Sequence, residues 1–513
     1  MMQIIRKLGL IIFLSCLAIF IALPFLGKYR LTEELFSKTI TDQTHQDLLK
    51  PALQNMLGKE YSSNRNFITD YKAAFNSVNE EFKKKEQWDK VIYTDYSFPL
   101  VKNSSIGFVK DNSKKLFFIC FILAAFGGLM FMIPAMFIKP IAGIKNDHIF
   151  HKAITSQGII AFIFAAGLIS FYILLFKSPA YITNWVILLD DFSYVLSGSG
   201  ASQWFLYGFL YTIIMSVMAV RLYINYRHNT YQILRTTSVV FFQIAFAFLI
   251  PNIMTKLMLP SMDFKNMWPL DYSFFFDYRV DTLLAGGMLG YWMLGWGIFL
   301  FVVGVPVMVY FFGKRWYCSW VCGCGGLAET LGDPFRQLSD KSLKAWKYER
   351  VIVHSVLVFA VVMTASVLYT YFSGANTILG VDSYAIRETY AFSIGFVFAG
   401  AIGTGFYPVM GNRVWCRFGC PLAAYLGIVQ RFKSRFRITT NGAQCISCGN
   451  CSTYCEMGID VRAYAQKGEN IIRSSCVGCG ICAAVCPRGV LKLENLEEEG
   501  RFDAYLRPEE QNY

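Results

Sequence analysis

The chain has 513 residues, 55% of them hydrophobic, among them 46 Phe and 29 Tyr, and a positive mean hydropathy. That excludes an ordinary soluble enzyme. The formal net charge of +13 would suit a nucleic-acid ligand, but the lysines and arginines gather in short loops beside apolar runs and in a 28–115 segment that also carries many acids, so membrane topology accounts for the charge and no nucleic-acid partner is implied.

Apolar runs nearly free of charge, long enough to cross a hydrocarbon layer of about 30 Å, predict eight spans at 8–27, 116–138, 154–176, 203–220, 236–254, 290–312, 351–372 and 390–410. The first, Leu8 to Leu26, follows Arg6 and Lys7 and lacks a small-residue cleavage site. It reads as a retained anchor (1–27) rather than a signal peptide. Residues 28–115 read as a mostly helical, cysteine-free external domain, with Leu48, Leu49, Ala52, Leu53 and Met56 on one helical face. The core, 116–437, follows. Its fifth span is interrupted by Gln243 and should end early at Pro251.

Basic residues alternate between the loops. Lys139, Lys145 and Lys152, then Arg221, Arg227 and Arg235, then Lys314, Arg315, Arg336, Lys341, Lys344, Lys347 and Arg350 mark cytoplasmic loops. The opposite loops hold only Lys177, then Lys256, Lys265 and Arg279, then Arg387. With an even number of spans both termini are cytoplasmic. The aromatic outer loops carry Asp190, Asp191, Asp271, Asp277 and Asp281; they read as interfacial belts, with docking of a partner as the alternative.

Thirteen of the fifteen cysteines fall after residue 317 in tight groups, whereas Cys16 and Cys120 stand alone in apolar spans, where a thiol packs as a small hydrophobe. The strongest pattern lies in residues 438–495. Cys445, Cys448, Cys451 and Cys455, then Cys476, Cys479, Cys482 and Cys486 before Pro487, repeat the spacing C-x2-C-x2-C-x3-C, which in ferredoxins holds two [4Fe–4S] clusters. Three thiolates at intervals of three, on a loop loosened by Gly449 or Gly480, wrap three corners of a cubane, and the fourth comes from the other repeat. The expected sets are Cys445, Cys448, Cys451 and Cys486 for one cluster, and Cys476, Cys479, Cys482 and Cys455 for the other. Zinc knuckles also use C-x2-C, but two zinc sites need no pair of matched four-cysteine runs. Glu456 stands after Cys455 where the second run has proline, which should loosen that turn. The tail, 496–513, is acidic and reads as only partly ordered.

A second thiol pattern flanks the membrane. Cys318 and Cys322 are four apart, as are Cys416 and Cys420 before Pro421, and Cys324 is a fifth thiol nearby. Positions four apart share a helix face, so two helix ends can present these thiols to one point. A shared metal or redox site, or a thiol–disulfide couple, is expected there, with thiols that only pack helix ends as the alternative. Copper(I), zinc and another iron–sulfur cluster all suit such ligands.

Paired C-x3-C motifs followed by a two-cluster ferredoxin module resemble the polyferredoxin membrane proteins typified by NosR and NapH, over roughly residues 200–495. The resemblance implies electron transfer in the bacterial cytoplasmic (inner) membrane, exchanging electrons with the quinone pool or with a respiratory reductase. The family pattern is C-x3-C-P twice, whereas the first site here reads Cys322-Gly323-Cys324. NosR-type proteins also carry flavin on a threonine of an S-G-A-T-like motif. The nearest strings, Ser199-Gly200-Ala201-Ser202 and Ser373-Gly374-Ala375-Asn376, lack that threonine, so no flavin is expected. The copper-oxidase accessory proteins combine the same motifs, making copper reduction during oxidase maturation the alternative function; those proteins have a further span and an external domain after the clusters.

No C-x2-C-H is present, and of the five histidines only His354 lies within a span, with His45, His148, His151 and His228 elsewhere, so no haem is expected. Neither a Walker sequence nor a dinucleotide glycine fingerprint occurs. The expected protein is thus a mostly α, polytopic bundle of about eight spans with a small α+β ferredoxin-like cytoplasmic domain. It moves electrons without breaking substrate bonds, and its partners are membrane lipid and redox proteins or quinone.

Overall fold

The structure, a computed structural model, describes residues 1–87, 90–137, 154–375, 377–441 and 444–495. The acidic tail, together with Lys139, Lys145, Lys152, His148, His151 and Asn376, lies outside the described residues. Among the described residues, eight helices are long and apolar enough to cross a membrane: Met2–Phe25, Ser113–Phe137, Ile159–Lys177, Gln203–Asn225, Thr230–Lys256, Gly287–Phe312, Leu343–Ser373 and Ser383–Ile402. This is a multi-pass, mostly helical protein. The described residues fall into two compact units, one within Met1–Ile138 and Ile173–Leu210, the other within Lys139–Tyr172 and Tyr211–Tyr513.

In the first unit, the first two spans pack closely because small residues meet at the crossing. A Cβ on Gly9 would stand 2.6 Å from the Phe131 nitrogen, and one on Gly127 would stand 2.9 Å from that of Phe13. Cys16 and Cys120 are buried in this pair of helices. The following segment is built on helices such as Gln43–Leu53, capped by Asp42, whose carboxylate accepts from the Thr44 and His45 amides. Leu49, Leu53 and Met56 are buried as the periodicity requires, in a core with Tyr29, Phe36, Phe67 and Tyr71. A small antiparallel sheet joins it, with Lys28–Arg30 between Glu60–Tyr61 and Ser105–Ile106. Asp190 is occupied inside this unit, 2.7 Å from Lys102, and is not free for a partner.

In the second unit the fifth span does not stop at Pro251. Its helix widens into a π segment, Phe242–Leu249, and Pro251 opens the next turn, Ile250–Lys256, where its missing N–H costs little. Gln243 turns inward and donates to Thr212 at 3.2 Å. The seventh span begins at Leu343, capped by Ser342, well before its apolar stretch. The stretch between the fifth and sixth spans is more than an outer loop. Met262, Lys265, Met267, Trp268 and Phe274 are buried, and Asn266 accepts from the Tyr317 hydroxyl at 3.3 Å. Residues 436–495 form the ferredoxin-like module around the antiparallel pair Phe436–Thr440 and Leu491–Asn495, in register Ile438 to Leu493.

Candidate functional site: three sets of cysteines

The two long cysteine runs fold as a repeat. In each, the second residue after the first cysteine and the glycine after the second adopt left-handed backbone: Ser447 (φ 56°) and Gly449 (φ 78°), then Gly478 (φ 62°) and Gly480 (φ 76°). The glycines open the short helices Asn450–Thr453 and Ile481–Ala484. Cys445, Cys448, Cys451 and Cys486 line one hollow, and Cys455, Cys476, Cys479 and Cys482 line a second. The final cysteine of each run thus lines the other run's hollow.

The two sets differ in exposure. In the first, Cys448 is exposed and Ile446 beside it is 58% exposed. In the second, Cys476 and Cys482 are buried, because the loop is docked on helices of the membrane part. Four successive carbonyls accept from side chains outside the module: Cys476 from Gln430 at 3.1 Å, Val477 from Ser319 at 2.7 Å, Gly478 from Tyr231 at 2.8 Å and Cys479 from Gln232 at 2.8 Å. Burial raises the thiol pKa of Cys455 to about 11 and pushes Cys476, Cys479 and Cys482 upward as well; such buried thiols become thiolates when a metal takes the proton's place.

The residue after Cys455 is part of this docking. Glu456 is fully buried, 2.6 Å from Arg336 and 2.9 Å from Arg413. Asn412 donates to its carboxylate at 3.1 Å and Ser339 to its carbonyl at 2.8 Å. Burial alone would raise its pKa, but Arg413, then Arg336 and Arg235, pull it down to about 2. Glu329, which pairs with Arg413 and Arg235, is pushed upward, chiefly by burial. Where a proline would shape a turn, this chain therefore places an anion that pins the module to two arginines, Arg336 and Arg413.

The third set comes from a second internal repeat. Gly313-Lys314-Arg315-Trp316-Tyr317-Cys318 matches Gly411-Asn412-Arg413-Val414-Trp415-Cys416, and each is followed by x3-Cys. Both glycines need left-handed backbone, at φ 63° and 94°, and both are pressed on neighbours. A Cβ on Gly411 would lie 2.3 Å from the Ser339 hydroxyl. Cys318, Cys322, Cys416 and Cys420 are buried in one large core, with Cys324 packed against it. Their backbone setting differs from the expected helix face. Cys318 ends the short helix Arg315–Cys318, whereas Cys322 is extended (φ −66°, ψ 124°) and caps the helix Gly323–Thr330. Cys420 likewise caps Pro421–Lys433, its sulfur accepting from the Ala423 amide at 3.3 Å. Two helix N-termini, positive ends of their dipoles, therefore open at the thiols.

Arg413 joins the third set to the second. Its guanidinium donates to the Cys318 carbonyl at 3.1 Å and lies 3.8 Å from the Cys416 sulfur, while its other arm holds Glu456. Cys322 is brought down to about 6, first by the Cys324 thiol donating to it, against the effect of burial. Cys318, Cys416 and Cys420 are pushed upward by burial. Gly325 allows the close approach, since a Cβ there would meet the Cys318 carbonyl at 2.1 Å. Among the described residues no three Cys, His, Asp or Glu side chains are gathered tightly enough to hold one metal ion.

Comparison with known proteins bears on all three sets. Residues 437–487 match the family model of a 4Fe-4S dicluster domain, and residues 294–342 and 391–439 each match that of a 4Fe-4S binding domain. The chain is similar to the "Putative electron transport protein YccM" of Escherichia coli (strain K12), 28% identical over 160 residues that make up 29% of this chain and 43% of that protein. No solved structure matches. The chain is thus a multi-pass membrane protein carrying 4Fe-4S ferredoxin-type domains.

Proposed function

We propose that the protein is a membrane-bound electron-transfer protein with two [4Fe–4S] clusters in its module and a third metal centre at the membrane thiols. The observation that carries this is the gradation among the three cysteine sets, from exposed, through docked, to enclosed among helix ends. Cys445, Cys448, Cys451 and Cys486 would hold the outer cluster, and Cys455, Cys476, Cys479 and Cys482 the docked one. Cys318, Cys322, Cys416 and Cys420 would hold the third, with Cys324 donating to Cys322. Bound there, the clusters would supply one-electron redox chemistry. The chain's own groups do the rest: Arg413 and two helix N-termini offset thiolate charge, while the aromatic and aliphatic core around the thiols excludes water.

One support favours a third cluster over a single copper or zinc ion: the thiol segments each match a 4Fe-4S binding model. By resemblance to the NosR and NapH proteins, the centre exchanges electrons with the quinone pool or a respiratory reductase, in a bacterial inner membrane with both termini cytoplasmic. Anaerobic purification with iron and sulfide analysis and electron paramagnetic resonance tests the proposal. About twelve irons per chain are expected. About eight would remove the third cluster, and colourless, zinc-bound protein would overturn the whole reading. Stoichiometric copper binding lost in Cys416→Ser would instead favour copper handling.

A further inference from the structure

Around the membrane thiols the buried cations have carboxylate partners, with one exception. Arg413 has Glu329 and Glu456, Arg417 has Glu349 at 3.1 Å, and Lys265 has Asp263 at 2.5 Å. Lys314 is 2% exposed, and its ammonium touches only the Ala423 carbonyl, at 3.4 Å. Among the described residues no carboxylate lies within ion-pairing distance of it. Ala423 belongs to the first turn of Pro421–Lys433, so the ammonium also sits near the positive end of a helix dipole. Glu349, which lines the same cleft as Lys314, is already paired with Arg417, so a further anion beside this buried ammonium would be favourable.

Its position says which anion. Lys314 lines one cleft together with Glu349, Cys416, Ser474 and Ser475, the last two leading directly into Cys476. Its charge acts on Cys318 and Cys416 of the membrane set and on Cys476 of the docked set. Lys314 lines neither ferredoxin hollow, but its amide donates to Gln430 at 2.6 Å, and Gln430 donates to the Cys476 carbonyl at 3.1 Å; among the described residues no such link runs to the outer set. A cubane with four thiolate ligands is an anion, and reduction makes it more negative; a fixed cation beside it favours the reduced form.

We propose that Lys314 is a counter-charge shared by the membrane-thiol centre and the docked cluster, raising the reduction potential of both. This rests on the reading of the membrane thiols as a metal centre. The residue is a positioning group and takes no part in bond chemistry.

The test is potentiometry followed by electron paramagnetic resonance on the full chain in lipid nanodiscs, prepared anaerobically as wild type, Lys314→Met and Lys314→Arg, with iron counted in each. In Lys314→Met, the oxidised-to-reduced ratio of the docked cluster and of the third centre at a fixed potential should rise at least tenfold, a fall of about 59 mV in each midpoint. The outer cluster should be unmoved, and Lys314→Arg should stay within threefold of wild type. Unchanged midpoints in Lys314→Met with full iron content would overturn the proposal. So would equal shifts in all centres, or an arginine variant as perturbed as the methionine one, since those mark a packing effect. Should Lys314→Met lose iron, Lys314→Gln, which can still donate to Ala423, takes its place under the same criteria. Wild-type iron content separates the two hypotheses: about eight irons removes the third centre, and the docked cluster's shift then decides the role of Lys314 alone.

Discussion

Replacing Glu456 by glutamine keeps the shape of the side chain and removes its charge, which makes it the sharpest test of how the module is held. The carboxylate is fully buried between Arg336 at 2.6 Å and Arg413 at 2.9 Å. Removing one member of a buried ion pair costs about 3–5 kcal/mol, because the other charge is left unpaired. Here each arginine keeps a second carboxylate: Arg336 has Asp333 at 2.8 Å, and Arg413 has Glu329. The lower end, about 3 kcal/mol, therefore applies. If opening of the module requires release of this network, its amides should exchange about a hundredfold faster. Hydrogen exchange read by mass spectrometry on the full-length, iron-loaded protein measures this, with the Ile438 and Ile471 amides, which bond each other's carbonyls at 3.2 and 2.9 Å, as reporters. Glu456→Pro restores the sequence that follows the other terminal cysteine and should be at least as destabilised, since the anion is lost with no turn to repair. An acceleration below about threefold in Glu456→Gln, or wild-type protection in Glu456→Pro, would refute the argument.

The second repeat makes two further predictions. Gly411→Ala should lower thermal stability by more than the roughly 1–2 kcal/mol that left-handed backbone costs an L-residue, because its new methyl meets Ser339; Gly374→Ala, at φ 66° with no atom within 4 Å of the added Cβ, should cost only the backbone part. Cys322→Ser should remove about four irons, as should Cys420→Ser, because both residues cap a helix at the thiols, whereas Cys324→Ser should retain the iron; equal loss from Cys322→Ser and Cys324→Ser would reassign the ligand.

The repeats were legible where chemistry is local. Eight cysteines at fixed spacing announce themselves, and so do eight apolar runs, because each signal lies within one short stretch. The C-x3-C pairs were visible too, but not their backbone: a cysteine that caps a helix and one that lies on its face have the same spacing, and only the backbone turn at Cys322 and Cys420 separates them. The repeat Gly-x-Arg-x2-Cys was present in the sequence and needed the two halves to be set side by side. Other features had no local signature. Gln232, Tyr231, Ser319 and Gln430 come from separate stretches and meet only in the folded protein. The three-residue strand Lys28–Arg30 and the two-residue strands beside it are too short to show alternation. The buried polar residues between the fifth and sixth spans read as an outer loop because charge counting gives a residue's side of the membrane and not its depth.

The departures between the two ferredoxin repeats follow from docking. Both need left-handed backbone two residues after the first cysteine, and both adopt it, at φ 56° in Ser447 and 62° in Gly478. Ser447 is exposed, so its side chain has room, and it accepts a hydrogen bond from Gln466 at 2.6 Å. At Gly478 a Cβ would fall 2.5 Å from that of Arg315 and 3.0 Å from the Phe436 ring, so the same turn is written with glycine. Arg315 is held there, its guanidinium 4.7 Å from the centre of the Phe436 ring, while its counterpart in the other membrane repeat, Arg413, turns inward to the thiols and Glu456. One repeat's arginine thus braces the docked loop from outside and the other's reaches the membrane thiols from within, so each arginine of a symmetric pair serves a different cysteine set, and neither repeat can take over the other's sequence without undoing the dock.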